Sequence, residues 1–231
     1  RIPFCDYVFI HREASPIGPP FVEFFVTKLF RKRIIYDFDD AIWLENTSDN
    51  NKMVASFKCH WKVAYICRWA YKVSCGNAYL AEYARQFNAN VVINPTTIDT
   101  EHLHNRSIDY SSEKPVIGWT GTHSTIGYLD AIIPVLSELE DELEFKFIII
   151  SNREPAFQLK SIQYIPWNKE TEIEDLLKIN IGIMPLEDDI WAKGKCGFKG
   201  LQYMSLGIAT IMSPVGVNAD IVMHGVNGLL A

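Results

Sequence analysis

The sequence predicts an α/β protein assembled from parallel β-α-β units in two domains. Short apolar runs of strand length recur along the chain, and each is followed by a polar or glycine-bearing loop and then by residues with helical spacing. The last fifty residues, Ile181 to Ala231, read strand, loop, helix, strand, loop, helix, strand, which is the signature of parallel pairing. A polar, serine-bearing stretch without sustained period, Asp99 to Pro115, reads as a linker and divides the chain into residues 1–110 and 111–231.

Composition narrows the function classes. The chain has 231 residues, enough to bury a sizeable core in one large or two small domains. No apolar run reaches the roughly eighteen residues of a membrane span. The chain opens at Arg1 without a charged-then-apolar leader, so no secretory signal is expected. A net charge of −6 argues against a general nucleic-acid binder while leaving room for a local basic pocket. The five cysteines form no Cys-x-x-Cys pair, and the eight-residue spacing of Cys59, Cys67 and Cys75 suits neither zinc nor a disulfide framework. Reduced core thiols in a cytoplasmic protein are expected.

Taken in order, Asp6–Ile10 is a strand with His11-Arg12-Glu13 at its carboxyl end, and Phe21–Phe30 has helical spacing. The basic cluster Arg31-Lys32-Arg33 suits a solvated helix end, or a phosphate or anionic membrane surface. Ile34–Tyr36 is a strand that runs into Asp37-Phe38-Asp39-Asp40, the strongest chemical signal of the first half, because unpaired charge is costly to bury. The run is open to three readings: a metal-diphosphate motif, acceptor contacts with one Asp as a base, or a helix cap. Lys52–Trp69 is an amphipathic helix whose aromatics (Phe57, Trp61, Tyr65, Trp69) are expected in the core. Tyr71–Cys75 is a strand, Asn77 caps the helix Ala78–Phe87, and Val91–Ile93 is a strand leading to the Asn94–Thr97 loop.

In the second half, Val116–Trp119 is a strand, and the loop Thr120–Thr125 offers backbone N–H groups to an anion ahead of a helix. That helix, Ile126–Leu143, is expected to kink at Pro134. Phe145–Ile150 is a strand ending at Arg153, which either pairs with a phosphate or lies on the surface. Ile162–Ile165 leads to Pro166-Trp167, and Glu172–Ile179 is a short helix. Strand Ile181–Leu186, the loop bearing Lys193 and Lys195, helix Phe198–Leu206, strand Ile208–Met212 and the turn Ser213–Gly216 complete the chain. In parallel sheets ligands sit outside the carboxyl ends of the strands, so Lys193, Lys195, Ser213 and Gly216 fall on the ligand edge.

The run FKGLQYMSLGIATIMSPVGVNADIVMHGVNGLL resembles the nucleotide-sugar half of retaining GT-B glycosyltransferases of glycosyltransferase family 4, whose pattern there is Lys-x-x-Glu-Tyr-Met-Ala-x-Gly-x-Pro-Val-Val-x-Ser-x-x-Gly and then Gly-x-x-Gly-Leu-Leu. The path VSCGNAYLAEYARQF to VVINPTTID resembles the last β-α-β unit of that family's first domain. The resemblance implies two Rossmann-like domains facing a cleft, the first incomplete here, in a chain lacking the start of the first domain and the closing helices of the second. It implies transfer of a hexosyl group from a UDP- or GDP-sugar to a glycan or lipid-linked acceptor, with retention of configuration and without a metal or other cofactor. Such work suits surface polysaccharide synthesis in the cytoplasm or at the inner face of the membrane, with peripheral membrane contact.

The resemblance also implies residue roles. Lys199 matches the family's lysine and, with Lys193 and Lys195, would neutralise the leaving diphosphate. Gly121 and Thr122 would hold the phosphates, Trp167 would lie beside the base, and Gln202 with Ser213 and Gly216 would hold ribose and phosphate. Asp37, Asn77 and Asn94 would face the acceptor, with Asp39 or Asp40 as a catalytic carboxylate. The sequence departs from the pattern where the family carries two glutamates, at positions occupied here by Gly194 and Gln202. Two alternatives stay open: a non-catalytic nucleotide-sugar-binding relative, and a metal-dependent phosphoryl or glycosyl enzyme built on residues 37–40.

Overall fold

The structure is a computed structural model that describes residues 4–45, 58–108 and 114–231. Its contacts divide the chain into two compact units. The first is Arg1–Thr96 together with Asp189–Cys196, and the second is Thr97–Asp188 together with Gly197–Ala231.

The first unit is a four-stranded parallel sheet. Strands β1 (Tyr7–His11), β2 (Arg33–Phe38), β3 (Lys72–Cys75) and β4 (Val91–Ile93) lie side by side in chain order. They are joined by α1 (Phe21–Phe24) with a π-helical turn (Phe25–Leu29), α2 (Lys62–Trp69) and α3 (Ala78–Arg85). Because every crossover steps the same way and is right-handed, the helices cover one face. Ile34, Tyr36 and Phe38 alternate inward on β2, and Val26, Ile66 and Leu80 close over them. Asn77 caps α3 as its residue type predicts, its Oδ1 accepting from Leu80 N at 2.9 Å.

One expectation fails in this unit. The aromatic stripe read as core faces outward, with Trp61 and Tyr65 exposed, and Phe57 lies outside the described residues. The inward face of α2 is instead Lys62, Val63, Ile66 and Cys67. Lys62 is the residue the pattern hides: its Nζ donates to Ser15 O at 2.6 Å and pairs with Glu13 at 2.7 Å, which makes a buried lysine tolerable.

The second unit is a six-stranded parallel sheet in the order β10-β9-β8-β5-β6-β7. Its strands are β5 (Val116–Gly121), β6 (Lys146–Ser151), β7 (Ile162–Pro166), β8 (Ile181–Met184), β9 (Ala209–Met212) and β10 (Leu229–Leu230). Its helices are α4 (Ile133–Glu142), α5 (Glu172–Leu176), α6 (Phe198–Ser205) and α7 (Asn218–Ile221). β5 and β6 are buried almost throughout, as strands covered on both faces must be.

The expected long helix after β5 is two pieces, a 3₁₀ turn (Ile126–Leu129) and then α4. Pro134 therefore sits in the first turn of α4, where its missing N–H costs nothing, and does not kink a helix interior. Chain order reverses at β5: β6 and β7 lie to one side, and β8, β9 and β10 to the other. That reversal is where a parallel sheet opens a crevice.

Candidate ligand-binding site

A pocket of about 410 Å³ opens at this crevice, at the carboxyl ends of β5, β6 and β7 and the start of α6. Gly121 and Thr122 come from the loop after β5, Asn152 from the end of β6 and Trp167 from the end of β7. Glu172 opens α5, while Lys199 and Gln202 project from the first turns of α6. α6 can start where it does because Gly197 holds φ +70° at its N-cap, and a Cβ there would collide with Ile221.

Two buried groups fix the floor. Tyr203 is fully buried, its ring occupies the space over Gly182, and its hydroxyl accepts from Thr120 N at 3.0 Å. Burial pushes this phenol up, so it is neutral and serves as a prop for the end of β5. Trp119, 1% exposed, lies beneath the Nζ of Lys199 at 5.7 Å from the ring centroid.

The polar groups are already organised. Glu172 Oε1 accepts from Trp167 Nε1 at 3.2 Å and lies 3.5 Å from Gln202 Nε2. Gln202, 3% exposed, also lies 3.3 Å from His104 Nε2. In the loop after β5, Thr122 N donates to Thr125 Oγ1 at 3.2 Å, and His123 N donates to Asn152 Oδ1 at 2.8 Å. An apolar pocket with an amide, a carboxylate, hydroxyls and one lysine along its wall suits a mixed aromatic and polar ligand.

The acidic run lies in the first unit and forms a second cluster. Arg12 Nε donates to Asp39 at 2.8 Å and its Nη2 to Asp40 at 2.7 Å. Lys195 Nζ donates to the other oxygen of Asp40 at 2.9 Å, and His11 Nδ1 lies 2.8 Å from Asp37. For Asp39, burial pulls the pKa up, but the hydrogen bond and charge of Arg12 outweigh it and hold the carboxyl below its ordinary range. Arg12 is correspondingly raised, its burial outweighed by the two carboxylates.

The segment Asp189–Cys196 is built into this cluster. Asn77 Nδ2 donates to the carbonyls of Lys193 and Lys195 at 3.2 and 3.0 Å, and Trp191 and Cys196 pack on the unit's core. Gly194 lies against Ala41 so closely that a Cβ would stand 2.9 Å from Ala41 N and 2.8 Å from its Cβ. A glutamate has no room at that position. Burial raises the thiols of Cys75 and Cys196 to about 12, so both are protonated and inert. Among the described residues no group of three His, Cys, Asp or Glu is arranged to hold a metal ion.

The residues singled out in the sequence therefore fall into two groups. Gly121, Thr122, Trp167, Lys199 and Gln202 line one pocket in the second unit. Asp37, Asp39, Asp40, Lys195, Asn77 and the backbone of Lys193 meet in the first. Arg153 is exposed and outside the pocket lining, and so is Asn94. Ser213 and Gly216 form the turn after β9; Ser213 Oγ accepts from Leu186 N at 3.1 Å, and Gly216 has φ +55°. Sequence reasoning missed Asn152, Glu172 and His104. Asn152 adjoins the strand end that drew attention to Arg153, whereas Glu172 and His104 carry no local signal.

No protein-family model matches the chain, and no curated protein matches it in sequence. Solved structures match in fold. HepE from Anabaena, solved with UDP and glucose, is 13% identical with a TM-score of 0.66, over 91% of this chain and 61% of that one. Sucrose-phosphate synthase from Thermosynechococcus elongatus is 9% identical with a TM-score of 0.65, over 97% and 60%. The catalytic domain of starch synthase IV from Arabidopsis thaliana, bound to ADP and acarbose, is 10% identical with a TM-score of 0.65, over 96% and 59%. These neighbours are GT-B glycosyltransferases, and the chain shares their α/β fold of parallel, Rossmann-like sheets. It spans about three-fifths of the length of each of these three chains.

Proposed function

We propose that the second-unit pocket binds a nucleotide diphosphate sugar and that the chain belongs to a glycosyltransferase acting on a glycan or lipid-linked acceptor. What supports this is the convergence of Gly121, Thr122, Trp167, Lys199 and Gln202 on one crevice at the strand-order reversal. Trp167 offers a face to a base, Gln202 and Glu172 offer an amide and a carboxylate to ribose hydroxyls, and Lys199 offers charge to a diphosphate. Stabilising the leaving diphosphate with Lys199 is work that a metal does in other designs. Ser213 and Gly216 are assigned to the phosphates and Asn94 to the acceptor side. We further propose hexosyl transfer with retention, in surface polysaccharide synthesis.

A second reading is favoured by three observations. Gly194 has no room for a glutamate, Gln202 carries no charge, and Asp39 and Asp40 are held by Arg12 and Lys195. A nucleotide-sugar-binding relative without transferase activity fits these facts.

The test is thermal stabilisation by UDP, GDP, ADP and their sugars, with EDTA and with Mg²⁺ or Mn²⁺. A ligand at a hundredfold excess over its Kd adds about 2.7 kcal/mol of stability. The expected result is a shift with one base that is indifferent to EDTA and lost in Lys199→Ala. Transfer from that donor then separates enzyme from binder. A shift that needs metal and disappears in Asp39→Ala moves the chemistry to the acidic run, and no shift with any nucleotide overturns the reading.

A further inference from the structure

The stretch that the sequence reads as a linker carries a buried histidine, His104, behind the pocket of the second unit. Asp99 opens a turn there, its Oδ1 accepting from Glu101 N at 3.1 Å and from His102 N at 2.9 Å. His104 N closes the turn by donating to Asp99 O at 2.7 Å. Further along, Arg106 pairs with Glu174 of α5 at 2.9 Å, and Ile108 N donates to Leu206 O, just past α6, at 2.9 Å. Fastened in this way to two helices, the segment holds His104, 4% exposed, beside Gln202.

The protons of this cluster follow from what each atom is able to do. An amide nitrogen donates and does not accept. Gln202 Nε2 lies 3.3 Å from His104 Nε2 and 3.5 Å from Glu172 Oε1. The reverse orientation would set the amide oxygen against that carboxylate oxygen, so the carboxylate fixes the amide. His104 Nε2 is therefore the acceptor, and the ring carries its proton on Nδ1. Nδ1 is buried and meets no partner among the described residues. A buried, unsatisfied N–H costs stability that a phenylalanine of similar shape would avoid, which points to Nε2 as the reason for the histidine. With one amide hydrogen on His104 and the other toward Glu172, Gln202 has its carbonyl oxygen left for the pocket that it lines. Glu172 Oε1 is taken by Trp167 Nε1 at 3.2 Å, which leaves Oε2. This part of the wall thus offers two acceptors, the complement of a vicinal diol that donates both its protons.

We propose that His104 is a positioning residue for this pocket: by taking one amide hydrogen of Gln202 it sets the amide with its oxygen to the ligand, and so makes the site select an intact ribose diol over a deoxyribose. The inference rests on the reading of the pocket as a donor site and adds to it the residue that decides the polarity of the sugar contact. His104 itself touches no ligand and acts through Gln202.

The experiment compares the affinity of the full chain for UDP, GDP and ADP with its affinity for their deoxyribose counterparts, by thermal stabilisation. The chain is expected to prefer the ribose form of the base that it binds by about tenfold or more, since a lost hydroxyl leaves a buried acceptor unpaired. His104→Phe is expected to bind the ribose form about tenfold more weakly and the deoxyribose form nearly as before. His104→Gln, whose amide oxygen reaches the place of Nε2, is expected to restore the preference. In the ligand-free parent, NMR correlation of ring protons with ring nitrogens is expected to show the proton of His104 on Nδ1. A proton on Nε2 overturns the proposal whatever the nucleotides do. Equal binding of ribose and deoxyribose forms, a preference kept in His104→Phe, or an equal loss of both forms in that variant overturns it and leaves the donor reading standing. No stabilisation by any nucleotide overturns the donor reading and this inference with it.

Discussion

The two units use the same parallel β-α-β construction and finish with opposite kinds of carboxyl edge. In the first, strand order follows chain order, so no two loops part to leave a crevice. Its edge gathers three carboxylates, yet Asp37, Asp39 and Asp40 are engaged by His11, Arg12 and Lys195. In the second, order reverses at β5, and a pocket opens from Gly121, Thr122, Trp167, Lys199 and Gln202. A ligand site in such folds follows from where the topology opens a space, more than from where reactive side chains are concentrated.

The largest way to break that comparison is to remove the prop under the second unit's pocket. Tyr203 is fully buried between β5 and β8. Tyr203→Ala leaves a cavity and orphans Thr120 N, and should cost about 3–5 kcal/mol. Tyr203→Phe keeps the ring and loses only the acceptor, for about 1–3 kcal/mol. Urea denaturation followed by circular dichroism measures both. Similar losses for the two variants would mean that the hydrogen bond, and not the packing, holds the end of β5.

Much of this fold was legible because the signals are local. Strands β2, β3, β8 and β9 and the Asn77 cap all lie where residue type puts them. The outward turn of Trp61 and Tyr65 was not legible, because periodicity gives two faces and cannot say which is covered. Here a lysine, Lys62, takes the inner one. The helical run from Phe21 was legible, but its change to a π-helical turn at Phe25–Leu29 was not, since nothing local distinguishes a π-turn from an α-turn. Five residues of the pocket were visible as candidates, but their separation from the Asp39–Lys195 cluster was not. Lys193, Lys195 and Lys199 look alike and stand close together in the sequence. Only tertiary contact assigns the first two to one unit and the third to the other.

A sharper probe is the substitution Gly194→Glu, which introduces the glutamate of the pattern that the sequence resembles. The side chain would meet the backbone of Ala41, so the cost expected from overpacking is about 1–3 kcal/mol, read as a lower thermal midpoint. Lys195 and Asn77 are held by the same segment, so the loss should fall on the first unit. Nucleotide stabilisation at the second-unit pocket should survive. If the variant were as stable as the parent and gained transferase activity, the segment would be free to leave Ala41, and the contrast between an occupied and an open edge would fall.

The smallest expected effect is a pH dependence that differs between the units. Folded Asp39 titrates below the ordinary carboxylate range, so the unfolded chain binds its proton more readily. Its stabilisation is complete above the ordinary carboxylate range and is lost as pH falls through the lowered folded value. Arg12 and Asp39 are each 42% exposed, so the pair is worth at most about 1 kcal/mol at neutral pH. Asp39→Asn should therefore lower the midpoint slightly at pH 7 and flatten its decline below about pH 4. Glu140, in the second unit, is also lowered: slight burial opposes the shift, and hydrogen bonds from Ser161 outweigh it. It is half-buried on α4 and held by Ser161 and the backbone N–H of Lys160, with no guanidinium against it, and Glu140→Gln should change the acid limb less. An acid limb flattened more by Glu140→Gln than by Asp39→Asn would mean that the ion pairs of the first unit hold less of its structure than their geometry implies, since a carboxylate locked between strand and loop must give up its contact before it accepts a proton.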